Sequence, residues 1–196
     1  MAGNDFEIEI KARISSRDEM KRKLKDAGAT FTVSLTHEDA YYDLPPKLGS
    51  FADSDEALRI RTSRDNTTGE ETCYFTYKGK KIDTTTKSRR EVDMKVESGS
   101  KMATILETLG FRKVIVVKKD RRMYKHGEIS ITLDEVEFLD DPFIEVEIIA
   151  TEADGIQAPR ERLFAFLDRL GIGKERSITL SYLELIAEKL GLSRKA

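Results

Sequence analysis

The sequence predicts an α+β fold: an eight-stranded, antiparallel, closed β-barrel with a polar, charged lumen and with helices packed outside it. Three observations support this prediction. Charged and apolar residues alternate along successive segments with the two-residue period of a β-strand. Charges of both signs recur on the face opposite the apolar residues in segment after segment. Turns of hairpin length join many of the segments and imply antiparallel pairing, while amphipathic helices between them can cover the apolar faces.

The first strand, at about residues 6–14, shows the alternation most clearly. Its charged residues all fall on one face, and its apolar residues fall on the other. The charged residues are Glu7, Glu9 and Lys11. An ordinary half-buried strand has the same pattern, so the prediction of a barrel depends on the recurrence of this pattern in later strands.

The remaining elements follow from periodicity, capping residues and turn signals. The later extended segments are residues 30–43, 57–64, 71–79, 88–96, 113–125, 128–136 and 143–149. Two helices begin after a serine cap, at Ser15 or Ser16 and at Ser98 or Ser100, and end at Gly28 and Gly110. Two closing helices are predicted at 159–170 and 180–190. We expect a single domain over residues 1–190, with residues 191–196 as a frayed tail.

Charged residues opposite the apolar strand faces would point into the barrel. The acids are Glu7, Glu9, Glu91, Asp93, Asp134, Glu145 and Glu147; the bases are Lys11, Arg59, Arg61, Lys78, Arg89, Lys119 and Arg121. A single pair such as Glu145 and Glu147 is typical of a solvated strand face, but the whole set on one sheet favours a lumen.

A charged lumen favours a charged ligand, because leaving one buried ion unpaired costs on the order of several kcal/mol or more. Arginine and lysine match phosphate oxygens, and clustered carboxylates match a hard divalent cation such as Mg²⁺. The set therefore indicates a metal-bound polyphosphate.

The composition narrows the class of function. The 34 basic and 36 acidic residues give a net charge of −2, which argues against a nucleic-acid partner. Cys73 is the single cysteine, so neither an internal disulfide nor a cysteine-rich zinc site is expected. His37 and His126 are too few for a histidine metal site; we expect His37 to be a surface or structural residue, with a role at a tunnel mouth as the alternative.

No signal peptide or long apolar run is recognised, so we expect a soluble cytoplasmic protein without membrane contact.

An ordered set of motifs runs along almost the whole chain, from about residue 5 to residue 186. It begins with Glu-x-Glu-x-Lys at Glu7, Glu9 and Lys11 and continues, in chain order, with Arg59 and Arg61 in ALRIR, Lys78 in TYKG, Arg89 and Glu91 in RREVD, Lys119 and Arg121 in KKDRRMY, Asp134 in ITLDEV, Glu145 and Glu147 in FIEVE, and Ser181 and Tyr182 in SYLELI. This set resembles the CYTH, or triphosphate tunnel metalloenzyme, superfamily, which includes class IV (CyaB-type) adenylyl cyclases and thiamine triphosphatases. The chain departs from the family at Leu139-Asp140-Asp141-Pro142, where the family has Leu-Gly; this adds acid near one tunnel mouth.

The resemblance implies a tunnel that binds a triphosphate together with Mg²⁺ or Mn²⁺. On this basis the phosphate-binding residues are Lys11, Arg59, Arg61, Lys78, Arg89, Lys119 and Arg121. The assignment of Lys119 and Arg121 could shift by one residue, to Lys118 and Arg122. The metal ligands are Glu7, Glu9, Glu145 and Glu147, with Asp134 and Glu91 as further candidates. The residues expected to take part in catalysis are Lys11, Lys78, Lys119 and Asp134.

The resemblance also implies an enzyme, most like a class IV adenylate cyclase that converts ATP to cyclic AMP and pyrophosphate. The alternative is a triphosphatase that hydrolyses thiamine triphosphate or inorganic tripolyphosphate. A third hypothesis is a non-catalytic sensor that binds a nucleotide or polyphosphate in the same tunnel. The family resemblance further suggests a homodimer.

Overall fold

The computed structural model describes residues 6–81, 89–150 and 155–191, without the side chains of Phe6, Lys81 and Arg89. Over these residues the strands are β1 (Phe6–Arg13), β2 (Thr30–Asp43), β3 (Ala57–Asp65), β4 (Glu71–Lys81), β5 (Arg89–Val96), β6 (Arg112–His126), β7 (Ile129–Val136), β8 (Phe143–Ala150) and β9 (Ser177–Ile178). The helices are α1 (Arg17–Asp26), α2 (Phe51–Ser54), α3 (Gly99–Thr108), α4 (Gln157–Arg169) and α5 (Tyr182–Lys189).

All of these strands belong to one antiparallel sheet, in the order β5-β4-β3-β2-β6-β7-β8-β1-β9. The sheet curls strongly, so that its first strand meets β1 again through the pair Glu7 and Arg89. The predicted α+β fold with a curled antiparallel sheet is confirmed. Within the described residues this is the position at which β1 and β5 pair, so closure of the sheet into an eight-stranded barrel stays a prediction.

Local sequence signals explain where several elements begin and turn. The hydroxyls of Ser16, Ser98 and Ser181 each accept a hydrogen bond from a backbone N–H in the first turn of α1, α3 and α5. Between β6 and β7, Gly127 adopts a positive φ of 58°, which glycine tolerates without strain in a tight hairpin.

The apolar outer face of the sheet is covered in two places. Helices α1 and α4 pack on β1, β7 and β8, where Ile10, Ile131 and Val146 are among the buried residues. Helix α3 packs on β3 and β4 through a smaller cluster that includes Ile60 and Leu106. Burying these faces outside the sheet leaves the alternate, charged positions of the same strands pointing inward.

Helix α5 corrects the prediction that all helices pack outside the sheet. Its buried residues Tyr182, Leu185 and Ile186 form a cluster with Val117 and Phe143. These two strand residues have the same parity as the inward charges Lys119 and Glu145, so they lie on the inner face. The inner face becomes apolar at this end of the sheet, and α5 covers it there.

The predicted domain of residues 1–190 and the tail of residues 191–196 stay predictions, and residues 192–196 lie outside the described part. None of the helices in the described ranges is long and apolar enough to cross a bilayer.

Candidate functional site

The inner face of the curled sheet lines a cavity of about 810 Å³. The predicted site residues found in its wall are Glu7, Glu9, Lys11, Arg59, Arg61, Lys78, Glu91, Lys119, Arg121, Glu145 and Glu147. Strand pairing brings together side chains that are far apart in the sequence, as the antiparallel register of β1 with β8 and of β2 with β3 and β6 requires.

One part of the wall, which we call the cationic pole, consists of Arg59, Arg61 and Lys119 around Asp39. The Arg61 guanidinium donates two hydrogen bonds to the Asp39 carboxylate, at 2.6 Å and 2.7 Å. Arg59 and Lys119 each lie 3.7 Å from the same carboxylate. Burial alone would raise the pKa of Asp39, but Arg61, Arg59 and Lys119 hold it well below its usual range.

The cationic pole has more positive charge than its single carboxylate can balance. Burial, followed by the nearby Arg121 and Arg61, lowers the pKa of Lys119 to about 7. The Nε of Arg59 is buried and has no hydrogen-bond partner among the described residues. Excess buried cations and an unsatisfied donor are the conditions that an anionic ligand would relieve.

The opposite part of the wall, the acidic pole, contains Glu7, Glu9 and Glu147. Glu9 lies directly opposite Glu147 in the β1–β8 register. Burial and then repulsion from Glu147 and Glu91 raise the pKa of Glu7 well above its usual value. Burial and then repulsion from Glu9 raise the pKa of Glu147. A hydrogen bond with Glu7 acts against these effects and lowers the pKa of Glu147, so the cluster is arranged to limit repulsion between its carboxylates.

The acidic pole fits a hard divalent cation by its chemistry, since all its donors are carboxylate oxygens and a cation would offset their repulsion. Within the described ranges, no group of three His, Cys, Asp or Glu side chains is arranged as a ready metal cage. Magnesium tolerates such a site because it commonly keeps several of its own waters and uses one or two carboxylates plus substrate phosphates.

Glu145, predicted as a metal ligand, pairs with two cations, and it also lies close enough to the acidic pole to raise the pKa of Glu147; its role as a ligand stays a prediction. Its carboxylate is 3.2 Å from Lys11 Nζ and 2.6 Å from the Arg121 guanidinium. Asp134 lies behind this layer: it is completely buried, and it accepts hydrogen bonds from Arg121 Nε at 2.8 Å and from the Tyr182 hydroxyl at 2.9 Å. Asp134 thus holds Arg121 in place and does not itself line the cavity.

Two further predicted site residues lie on the paired strands β4 and β5. Lys78 forms an ion pair with Glu91, which faces it in the strand register. The backbone of Arg89 pairs with Glu7, but its side chain lies outside the described part of the structure. The alternative assignment on β6 is resolved: Lys119 and Arg121 line the cavity, whereas Lys118 forms a half-exposed pair with Glu38.

Sequence reasoning missed Asp39, did not place Tyr182 in the cavity, and gave His37 a role at a tunnel mouth only as the alternative to a surface or structural one. His37, Asp39 and Tyr41 occupy every second position of β2 and so share one face of the strand. The same two-residue period could have placed them on the inner face. Tyr182 has Lys11 Nζ 3.6 Å from the centre of its ring, a contact that no local pattern indicates.

Comparison with known proteins identifies the family. Residues 5–182 match the CYTH domain model, and the chain belongs to the CYTH family. A candidate adenylate cyclase of Methanocaldococcus jannaschii is 35% identical over 180 residues, covering 92% of this chain and 98% of that protein. Adenylate cyclase CyaB of Aeromonas hydrophila is 29% identical over 189 residues, covering 96% of this chain and 92% of that protein.

Solved structures agree with the fold. The PH1819 protein of Pyrococcus horikoshii OT3 is similar with a TM-score of 0.83 and 39% identity, over 93% of this chain and 99% of that chain. A candidate adenylyl cyclase of Hippeastrum, described as having a dominant triphosphatase activity, is similar with a TM-score of 0.64 and 21% identity, over 93% and 95% of the two chains. At that level of identity the likeness concerns the fold.

Proposed function

We propose that this protein is a metal-dependent enzyme that processes a triphosphate inside a closed tunnel, most like a class IV adenylate cyclase. The observation that carries this proposal is the presence of a cationic pole and an acidic pole in the wall of one cavity. A metal triphosphate has the same two parts, an extended polyanion and a hard cation. The cyclase names of the two relatives support this choice.

In the proposed site each pole has a separate task. The basic residues hold the phosphate chain; they are Lys11, Arg59, Arg61, Lys78, Lys119 and Arg121. Glu7, Glu9 and Glu147 would hold Mg²⁺ or Mn²⁺, which when bound neutralises charge that develops on the phosphate oxygens. Asp134 and Tyr182 keep Arg121 and Lys11 in position from behind the wall.

The chemistry is an in-line displacement at phosphorus. In the cyclase reaction the ribose 3′-hydroxyl loses its proton to solvent as its oxygen bonds to the α-phosphorus, the bond from this phosphorus to the bridging oxygen breaks, and pyrophosphate leaves. Burial lowers the pKa of Lys119 to about 7 in the free protein. Protonated beside the bound anion, Lys119 would give its proton to the leaving oxygen.

A triphosphatase is the second candidate, supported by the activity described for the Hippeastrum protein of the same fold. Water would then replace the ribose hydroxyl as nucleophile, and the same poles would serve it. A non-catalytic polyphosphate sensor is the third hypothesis. The homodimer suggested by the family resemblance stays a prediction.

The deciding experiment is a turnover assay with purified protein, Mg²⁺ or Mn²⁺, and, separately, ATP, thiamine triphosphate and tripolyphosphate. We expect cyclic AMP and pyrophosphate from ATP. Orthophosphate from the other substrates without cyclic AMP would select the triphosphatase, and tight binding without product would select the sensor. Failure of every triphosphate to bind would overturn the whole proposal.

Glu9→Gln tests the role of the acidic pole, because it removes one anionic donor with little change of shape. We expect turnover to fall by at least about a hundredfold, the scale typical for loss of an electrostatic catalytic contact. EDTA should abolish turnover of the unchanged protein. Glu38→Gln is the matched control, since Glu38 is about half exposed and pairs with Lys118 outside the cavity. Full activity of Glu9→Gln would remove Glu9 from the site.

A further inference from the structure

His37 is a buried histidine in the cavity wall to which the proposed mechanism gives no role. It is only 4% exposed and lines the cavity. On β2 it lies directly opposite Ser63 of β3 and Lys119 of β6. Its Nδ1 is buried and has no hydrogen-bond partner among the described residues. This position differs from the surface or structural role expected from the sequence.

The charges that face His37 come from the two strands beside it and from its own strand. They are Arg61 of β3, Lys119 and Arg121 of β6, and Asp39 of β2. Burial, followed by these three cations, holds the pKa of His37 well below its usual value, against the weaker opposing effect of Asp39. The imidazole is therefore neutral in the free protein at physiological pH.

An unsatisfied polar nitrogen in a buried wall destabilises the protein, so such groups are rare unless a ligand satisfies them. Two of the cations that keep the ring neutral, Arg61 and Lys119, belong to the cationic pole, and the third, Arg121, lies close enough to lower the pKa of Lys119. A polyphosphate bound there would bring several negative charges against them and offset their repulsion of a proton on the ring. Its oxygens would also accept hydrogen bonds, and a protonated imidazole offers two donors in place of one.

We propose that His37 is a polyphosphate-binding residue that donates a ring N–H to a phosphate oxygen and takes up one proton as the anion binds. The proton comes from solvent, and no other bond is made or broken. This inference rests on the proposed function and adds to it. His37 is then charged only when the ligand is bound, whereas the arginines of the cavity stay charged throughout.

Nuclear magnetic resonance can test this directly, because His37 and His126 are the only two histidines in the chain. His126 stacks on Phe166, which belongs to the outer core, and serves as an internal reference. Long-range ¹H–¹⁵N spectra of the imidazoles are recorded at pH 7 with EDTA, free and saturated with tripolyphosphate. The His126→Gln variant assigns the two rings. We expect the His37 nitrogens to change from the neutral to the doubly protonated pattern, with the His126 signals unmoved.

Calorimetry supplies the matching binding measurement. Tripolyphosphate is titrated into the unchanged protein, His37→Gln and the control His126→Gln in two buffers with different protonation enthalpies. We expect His37→Gln to bind roughly tenfold or more weakly, as for loss of a hydrogen bond to a charged group, and to take up about one proton fewer. His126→Gln should match the unchanged protein.

The outcomes separate this inference from the proposed function. If tripolyphosphate binds but His37 stays neutral, or if His37→Gln binds as tightly with the same proton uptake, the inference is wrong and the proposed function stands. If tripolyphosphate binds to none of the three proteins in EDTA, the inference is wrong; if it also fails to bind in the presence of Mg²⁺, the proposed function is wrong as well.

Discussion

At the scale of single residues, Asp39 is the carboxylate that balances positive charge in the cationic pole when no ligand is bound. It is the carboxylate around which Arg59, Arg61 and Lys119 gather, and it is almost wholly buried. Removing one partner from such a group leaves buried charge uncompensated, which is costly. The positive charge that Asp39 does not balance lowers the stability of the free protein, and a bound polyphosphate would balance it. The arrangement that favours binding therefore lowers stability at this position.

We expect Asp39→Asn to lower the free energy of unfolding by about 3–5 kcal/mol, because three cations lose their common counter-ion. Tripolyphosphate should then raise the melting temperature of the variant more than that of the unchanged protein. Thermal and denaturant unfolding, with and without ligand, measure both effects. Asp18→Asn is the control, since Asp18 is exposed and pairs only locally with Lys21. Equal stability of Asp39→Asn and the unchanged protein would contradict this account.

Lys119 gives a second prediction at this scale, through its pKa of about 7. Above pH 7 the free protein holds this amine neutral, so anion binding must return a proton to it. Affinity for tripolyphosphate should therefore weaken as pH rises from 7 to 9, by up to about tenfold per pH unit for one linked proton.

The variant Lys119→Arg keeps its charge over this range and should lose that part of the pH dependence. Binding is measured by calorimetry in EDTA, and the two proteins are compared at each pH so that ionisation of the tripolyphosphate cancels. Lys118→Arg, on the exposed side of the same strand, should behave like the unchanged protein. Parallel curves for Lys119→Arg and the unchanged protein would show that Lys119 does not titrate as proposed.

At the scale of elements, α5 is the helix that most directly shapes the site. Its first residue, Tyr182, contacts Asp134, Lys11 and Phe143. A capping box at Ser181 and Glu184 fixes its start, and Lys189 forms an ion pair with Asp140 near its end. At this acidic turn Asp140 therefore contacts α5 through an exposed ion pair, while Asp141 pairs with Arg13.

Ile186→Ala tests how strongly α5 is held against the inner face. Ile186 is 0% exposed, so the change leaves a cavity and should cost about 2–5 kcal/mol of unfolding free energy. Leu190→Ala is the control, because Leu190 is 47% exposed and the change should stay within about 0.5 kcal/mol. Chemical denaturation measures both. Similar small losses for the two variants would mean that α5 contributes little to the folded state.

At the scale of the whole molecule, the sheet is held unevenly around its circumference. Strands β2 and β6 pair along most of their length, while within residues 6–81 and 89–150 the pairing of β1 with β5 is described at Glu7 and Arg89. Amides in extended, cooperative pairing are better protected from local opening than amides near the end of a strand. We therefore predict that the β1–β5 junction is the place where the proposed tunnel opens most easily.

Hydrogen–deuterium exchange followed by mass spectrometry should show this difference. We expect peptides from β5 to exchange faster than peptides from the middle of β2 and β6. Tripolyphosphate with Mg²⁺ should slow exchange in β5, since ligand bound between the poles favours the closed sheet. Equal protection of β5 and β6 without ligand would contradict the prediction of a weak junction.

Much of this protein could be predicted from its sequence because strand alternation and motif order are local properties. The charged faces of β1, β3 and β6 followed from a two-residue period, and the CYTH family followed from the order of the charged motifs. Helix α2 was not among the helices predicted from the sequence, since four residues show no helical period.

What the sequence by itself determined is which side chains share the inner face, since covalent geometry sets the direction of alternate residues along a strand. Only the tertiary structure decided how those side chains divide their charges. Register and curvature placed Glu145 with Lys11 and Arg121, gathered three cations on Asp39, buried His37 among them, and turned α5 inward. Electrostatic pairing depends on distances across strands, and no local pattern contains those distances.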